Sequence, residues 1–135
     1  MGAWDLGPFD NDGALDALGH IGEAADVPGE LVLAMREVLD EDGYVEAPEL
    51  SGAVAAACLI GARLIGSEPD VVAAKWLDRH PFAVTDPLRD LALATLDRAA
   101  RPGDNELYEL WEDGGGVTEW LDRLAPYRRA LAARP

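Results

Sequence analysis

Residues 48–66 decide the fold, and they read PELSGAVAAACLIGARLIG. Pro48 suits the first turn of a helix, and Gly66 suits its end. Between these two residues, apolar and small side chains would lie on nearly every side of a helix. A helix that is apolar all round is normally buried. We therefore predict that this helix lies in the middle of a bundle, where its small residues let neighbouring helices pack closely.

Cap and breaker residues divide the rest of the chain on both sides of this segment. Towards the N-terminus, Asn11 or Asp12 can cap a first helix, and Pro28 fits the first turn of a second helix that ends at Gly43. Towards the C-terminus, further helix starts are predicted at Ser67 to Asp70, Thr85 to Pro87, Asp104 and Thr118. Pro126 lies inside the last predicted helix and is expected to kink or divide it.

No segment alternates apolar and polar residues for long enough to predict a strand. We therefore predict an all-α, compact single domain over residues 1–135, with about six to seven short helices around a central apolar helix at about 48–66. Residues 1–11 are predicted to form an N-terminal strap. In it, Trp4 and Phe9 would plug the bundle, while Asn11 and Asp12 would bind free amides at the start of the first helix.

Length and composition fit one domain with its own core. The chain has 135 residues, 49% of them hydrophobic, which suffices without disulfides. Cys58, the single cysteine, lies in the apolar segment and is interpreted as a buried small hydrophobe. No apolar run approaches the roughly 20 residues that cross a bilayer, and acidic residues stand where a signal peptide would be basic. We therefore expect a cytoplasmic protein with no membrane partner.

The net charge of −15 is concentrated in the N-terminal part of the chain. The first 50 residues contain 13 acidic residues and one basic residue, Arg36, which gives −12. Phosphate binding needs clustered Lys and Arg, so nucleic acid is disfavoured as a partner. An acidic surface can instead steer a basic protein towards it, and the candidate contact residues are Asp40, Glu41, Asp42 and Glu46. The alternative is that the charge serves solubility alone.

The segment DEDGYVEAPE at residues 40–49 partly matches a calcium-binding EF-hand loop. With Asp40 at loop position 3, Asp42 and Glu49 take positions 5 and 12, and Gly43 takes position 6. Position 1 is Val38, which cannot bind a metal ion, and the loop has no second copy. Asp40, Asp42 and Glu49 are thus candidate metal ligands. The alternative is an acidic turn between two helices.

A second acidic group lies around the start of the first helix. Its members are Asp5, Asp10, Asp12 and Asp16. Carboxylates grouped in this way can bind magnesium or act as acid and base, but polar residues at helix starts are usually caps. His20 and His80 do not have a metal-ligand spacing, and the sequence has no phosphate loop, G-x-S-x-G or C-x-x-C motif. We therefore expect no catalytic residue and no cofactor.

Three groups of residues carry a family resemblance. They are Met1-Gly2-Ala3-Trp4 with Gly7, Phe9, Asn11, Asp12, Ala14 and Asp16; Gly43-Tyr44-Val45-Glu46-Ala47-Pro48; and Asn105-Glu106-Leu107 with Trp111 and Trp120. In these residues, and over essentially its whole length, the chain resembles the domain-of-unknown-function 4259 family of small bacterial proteins. Asp5-Leu6 departs from the Gly that usually follows Trp4. The resemblance implies a stand-alone bacterial protein, supplies no activity, and favours a family turn over a calcium loop at residues 43–48.

Three classes of function remain open at this point. The leading hypothesis is a non-enzymatic helical domain that binds another protein through its acidic N-terminal half. A bacterial immunity protein or antitoxin that neutralises a basic toxin is one concrete version. The second is a carboxylate-rich metal-binding protein or hydrolase that uses the N-terminal aspartates. The third is a structural helical subunit of a larger complex.

Overall fold

A computed structural model describes residues 7–133 of the chain. Over this range the chain forms seven helices and no strand, which confirms the predicted all-α bundle. The helices are α1 (Asp12–Gly22), α2 (Val27–Leu39), α3 (Ala47–Ile65), α4 (Val71–Arg79), α5 (Asp86–Ala99), α6 (Glu106–Asp113) and α7 (Val117–Ala132).

Helix α3 is the centre of the bundle, as its sequence predicts. Every residue from Leu50 to Ala62 is buried. Helices α1, α2, α5 and α7 pack along it, and α4 and α6 touch it over shorter lengths. Among residues 7–133, α3 alone is long and apolar enough to cross a membrane, but 72% of that stretch is buried inside the fold. Its apolar character thus matches its place in the core.

Small residues on α3 bring its neighbours close. A Cβ on Gly61 would come within 3.1 Å of the Tyr127 Cβ and 3.2 Å of the Tyr127 backbone, so α7 crosses α3 at this glycine. A Cβ on Gly52 would lie 3.1 Å from the Cβ of Ala17 on α1. The two contacts explain why large side chains are missing from these positions of the central helix.

Most predicted helix starts are confirmed, but three of the caps, those of α4, α6 and α7, are other residues than predicted. Asn11 caps α1, with its side chain accepting a hydrogen bond from Ala14 N at 2.7 Å. Asp70, rather than Ser67, caps α4. Asn105 rather than Asp104 caps α6, because the Asp104 carboxylate is engaged elsewhere.

Two further sequence predictions about helix ends are wrong, and so is one of the two effects predicted for Pro126, division of the last helix. Helix α2 ends at Leu39 and not at Gly43, because the chain turns earlier, around the side chain of Arg98. Helix α7 begins at Val117, with Gly116 as its cap in place of Thr118. Pro126 does not divide α7, which continues to Ala132. It lies on the exposed side of the helix, where water can bind the carbonyl that proline leaves without a donor.

Candidate functional site

The predicted strap is anchored by its second aromatic residue. Phe9 is 3% exposed, and its ring meets the ring of Tyr127 edge to face, with centroids 6.2 Å apart. Asp12 is the first residue of α1. Trp4 and Asp5 lie outside the described residues, so the prediction that Trp4 is buried stays a prediction.

The acidic turn between α2 and α3 is exposed and only partly paired. Asp40 caps the end of α2 and lies 3.9 Å from Arg36. The Glu41 carboxylate accepts a hydrogen bond from Gly43 N at 2.9 Å. Glu46 caps α3 without a side-chain hydrogen bond to its amides. The carboxylates of this turn therefore face solvent.

A buried arginine, which the sequence reasoning missed, forms hydrogen bonds with the backbone of this turn. Arg98 of α5 is 6% exposed. Its Nη1 donates to the carbonyl oxygens of Val38 and Glu41, the latter at 2.6 Å, and its Nη2 donates to the carbonyl of Gly43 at 2.9 Å. Its Nε donates to Asp104 Oδ2 at 3.1 Å. The turn thus folds around a guanidinium, with three carbonyl oxygens directed at one protein cation.

The same turn is joined to the turn between α5 and α6. Val45 and Asn105 form an isolated parallel β-bridge, in which Val45 O accepts a hydrogen bond from Glu106 N at 2.8 Å. The hydroxyl of Tyr44 donates to Glu109 Oε2 at 2.6 Å, and this bond to a carboxylate raises the pKa of Tyr44 to about 12. Two of the three motifs that carry the family resemblance therefore meet in space, and their contacts position the acidic turn.

The candidate calcium ligands do not converge. Within residues 7–133 no group of three or more His, Cys, Asp or Glu side chains has a geometry that could hold a metal ion. Neither Asp40, Asp42 and Glu49 nor the described N-terminal aspartates form such a group. The carbonyl oxygens of the turn, which a calcium loop would aim at its ion, are directed at Arg98 instead.

Cys58 and Tyr127 show no sign of a reactive centre. Cys58 is fully buried in α3, and burial raises the pKa of its thiol well above the usual value. Burial and a 2.7 Å hydrogen bond to Glu68 also raise the pKa of the Tyr127 hydroxyl. Raised values keep both groups protonated, which is the opposite of what an activated nucleophile needs.

A groove lies between α1 and α2, above α3. Both helices pack against α3 but make few contacts with each other, and the space between them is a cleft of about 520 Å³. Its apolar lining consists mainly of small residues, namely Gly13, Ala17, Ala34, Gly52 and Ala53, together with Ile21, Leu33 and Pro48. Its rim is polar and mainly acidic, with Asp16 and His20 from α1, Glu30 and Glu37 from α2, and Glu49 from α3. We call this cleft the acidic groove.

The rim of the acidic groove has little internal charge compensation. His20 Nε2 lies 3.4 Å from Glu30 Oε2, and the His20 side chain is 77% exposed. Asp16, Glu37 and Glu49 form no ion pair or hydrogen bond through their side chains with any other residue in the described part of the chain. Three carboxylates from three different helices thus surround one cleft without a counter-charge from residues 7–133.

A smaller cleft of about 190 Å³ continues the acidic groove past Glu37 and Glu49. Glu41 and Glu46 line it, beside Tyr44. Two of the four predicted contact residues therefore border a concave surface, whereas Asp40 and Asp42 line neither cleft. The sequence reasoning missed the groove itself, although Asp16, Glu30, Glu37 and Glu49 were part of the charge count that predicted an acidic surface.

Comparison with known proteins gives the chain a family but no activity. No curated protein and no solved structure matches it significantly. A family model described as "Domain of unknown function (DUF4259)" matches residues 2–123, which is most of the chain. The matched segment includes α1 to α6, the acidic groove and the Arg98 contacts. The chain therefore belongs to the DUF4259 family.

Proposed function

We propose that this chain is a non-enzymatic binding domain that holds a basic segment of another protein in the acidic groove. The observation that carries the proposal is the set of three carboxylates, Asp16, Glu37 and Glu49, which lie around one concave surface and have no ion-pair partner among the described residues. A basic segment would supply the missing counter-charges. An immunity or antitoxin-like role, in which the partner is a basic toxin, is one concrete form of this proposal.

The charge distribution supports the same partner chemistry. Arg36 is the only basic residue among residues 1–62, and it lies beside Asp40. The acidic groove is therefore surrounded by negative charge, which attracts a basic protein over distances up to about 10 Å at 0.1 M salt. Association with such a surface is fast and weakens steeply as salt increases.

The proposal is tested with two variants of equal charge change. The groove variant combines Asp16→Asn, Glu37→Gln and Glu49→Gln. The control variant combines Asp78→Asn, Glu112→Gln and Glu119→Gln, which are exposed acidic residues outside the groove. Each tagged protein is used to capture partners from an extract of the source organism at low and high salt.

We expect one basic protein to be captured by the parent and the control at low salt, and to be lost from the groove variant. Equal capture by all three proteins, or no specific capture by the parent, would refute the proposal. A second set reverses the charges of Asp40, Glu41, Asp42 and Glu46. We expect the same partner to bind this set more weakly, because two of these residues line the continuation of the groove.

A further inference from the structure

We infer that the acidic groove binds its partner as an amphipathic α-helix with basic flanks and a stripe of small apolar residues; this inference rests on the proposed function. The first support is the spacing of the rim. Glu30, Leu33 and Glu37 lie on one face of α2, because residues three, four and seven apart are neighbours on a helix. From Glu30 to Glu37 the rim extends for about 10 Å, or two helical turns.

The second support is the apolar lining of the groove. Gly13, Ala17, Gly52 and Ala53 project no large side chain into the groove, so the side chains of a partner helix can enter it. Leu33 at the rim is 55% exposed. A helix in the groove would cover this leucine with its apolar stripe and extend its basic side chains to both walls.

The third support comes from the walls, which are the sides of helices. Backbone amides and carbonyls in the middle of a helix are already hydrogen-bonded within it. An extended peptide that adds a strand needs a free backbone edge, and the sides of α1 and α2 offer none. Recognition therefore depends on side chains, which is the way amphipathic helices bind in grooves.

The charges define the pattern that the partner helix must carry. Acidic residues line both walls, with Asp16 on α1 and Glu30 and Glu37 on α2, and Glu49 of α3 lies where the groove meets the smaller cleft. A complementary helix has Lys or Arg at positions i, i+4 and i+7 on each side of a stripe of Ala or similar residues. The same basic residues spread evenly around the helix would not reach both walls at once.

The test uses two synthetic peptides of identical composition, both rich in Ala and Arg and about 18 residues long, so that their helicity is similar. The patterned peptide places its arginines on both sides of an alanine stripe, and the permuted peptide spreads them around the helix. Binding to the full chain is measured by isothermal titration calorimetry. Ala34→Phe fills the groove without changing the charge, and Ala94→Phe places the same ring on an exposed site of α5 as a control.

We expect the patterned peptide to bind at least about tenfold more tightly than the permuted one. Ala34→Phe should remove that difference and Ala94→Phe should keep it. Leu33→Ser, at an exposed position that tolerates change, should weaken the patterned peptide selectively. Equal affinity for both peptides would overturn the helical inference and leave the proposed function standing. Failure of both peptides to bind would also overturn the helical inference. The capture experiment with the groove and control variants would then decide the proposed function separately.

Discussion

Replacing Arg98 by methionine tests whether a buried cation organises the acidic turn. Methionine keeps much of the volume of the side chain but removes all four hydrogen bonds of the guanidinium. The carbonyl oxygens of Val38, Glu41 and Gly43 lose their donor, and Asp104, whose side chain is 20% exposed, loses its ion pair. The prediction is a large loss of stability, with the α2–α3 turn released from α5.

The magnitude follows from the burial of these groups. Hydrogen bonds to a charged group contribute about 1.5–3 kcal/mol each, but they are not additive, and water can reach the turn once it loosens. Removing one partner of a buried ion pair costs about 3–5 kcal/mol. We therefore expect the free energy of unfolding to fall by about 3–5 kcal/mol. With a urea m-value of roughly 2 kcal/mol/M, the unfolding midpoint falls by roughly 1.5–2.5 M.

The assay is urea unfolding followed by far-ultraviolet circular dichroism. Arg128→Met is the control, because Arg128 forms a 2.7 Å ion pair with Asp97 in which both side chains are about half exposed. An exposed pair of this kind contributes about 0–1 kcal/mol. If Arg98→Met and Arg128→Met unfold at the same midpoint, the guanidinium does not organise the turn, and the reasoning is refuted.

Three further predictions concern other parts of the molecule. Phe9→Ala should lower the free energy of unfolding by about 3–5 kcal/mol, because the Phe9 ring is fully packed. Trp4→Ala should have the same effect if the whole strap is anchored. For either variant, an unchanged denaturant midpoint would show that the aromatic side chain it removes is exposed. Absorbance titration should show Tyr44 ionising near pH 12, and Glu109→Gln should move its pKa down towards 10. Because the pKa of Tyr44 is raised in the folded state, its hydrogen bond to Glu109 contributes fully to stability below pH 10. This contribution is lost as the pH rises towards 12. Isothermal titration with millimolar calcium should show no saturable heat, and tight binding that vanished in Glu49→Gln would prove the calcium loop real.

The central helix and the class of fold could be predicted because their signals are local. An apolar segment bounded by Pro48 and Gly66 predicts a buried helix on its own, and the structure confirms it. The capping residues were harder to predict, because adjacent polar residues compete for the same place. Asp104 and Asn105 can both cap a helix, and only the contact with Arg98 decides which of them does.

Arg98 itself was missed because the three carbonyl groups that it binds lie 55–60 residues away in the sequence. One signal was nevertheless present. Arg98 follows the buried Thr95 by three residues and therefore lies on the inward face of α5. A charged residue on an inward stripe needs partners, and the acidic turn was a candidate. The acidic groove could not be predicted in the same way, because it depends on how far α1 and α2 separate above α3.

The place of α3 at the centre of the bundle has a consequence for the order of synthesis. Ala47–Ile65 leaves the ribosome before α5 and α7, which cover two of its sides. At about 5–20 residues per second, the rest of the chain through α7 takes on the order of 3–13 seconds to make. During that time the α3 surface that packs on α7 at Gly61 stays open to water and to any chaperone that recognises apolar segments. In a chain that stops before Val117, this surface of α3 is never covered. Truncation at that point should therefore yield a product that aggregates, even though its acidic groove is complete.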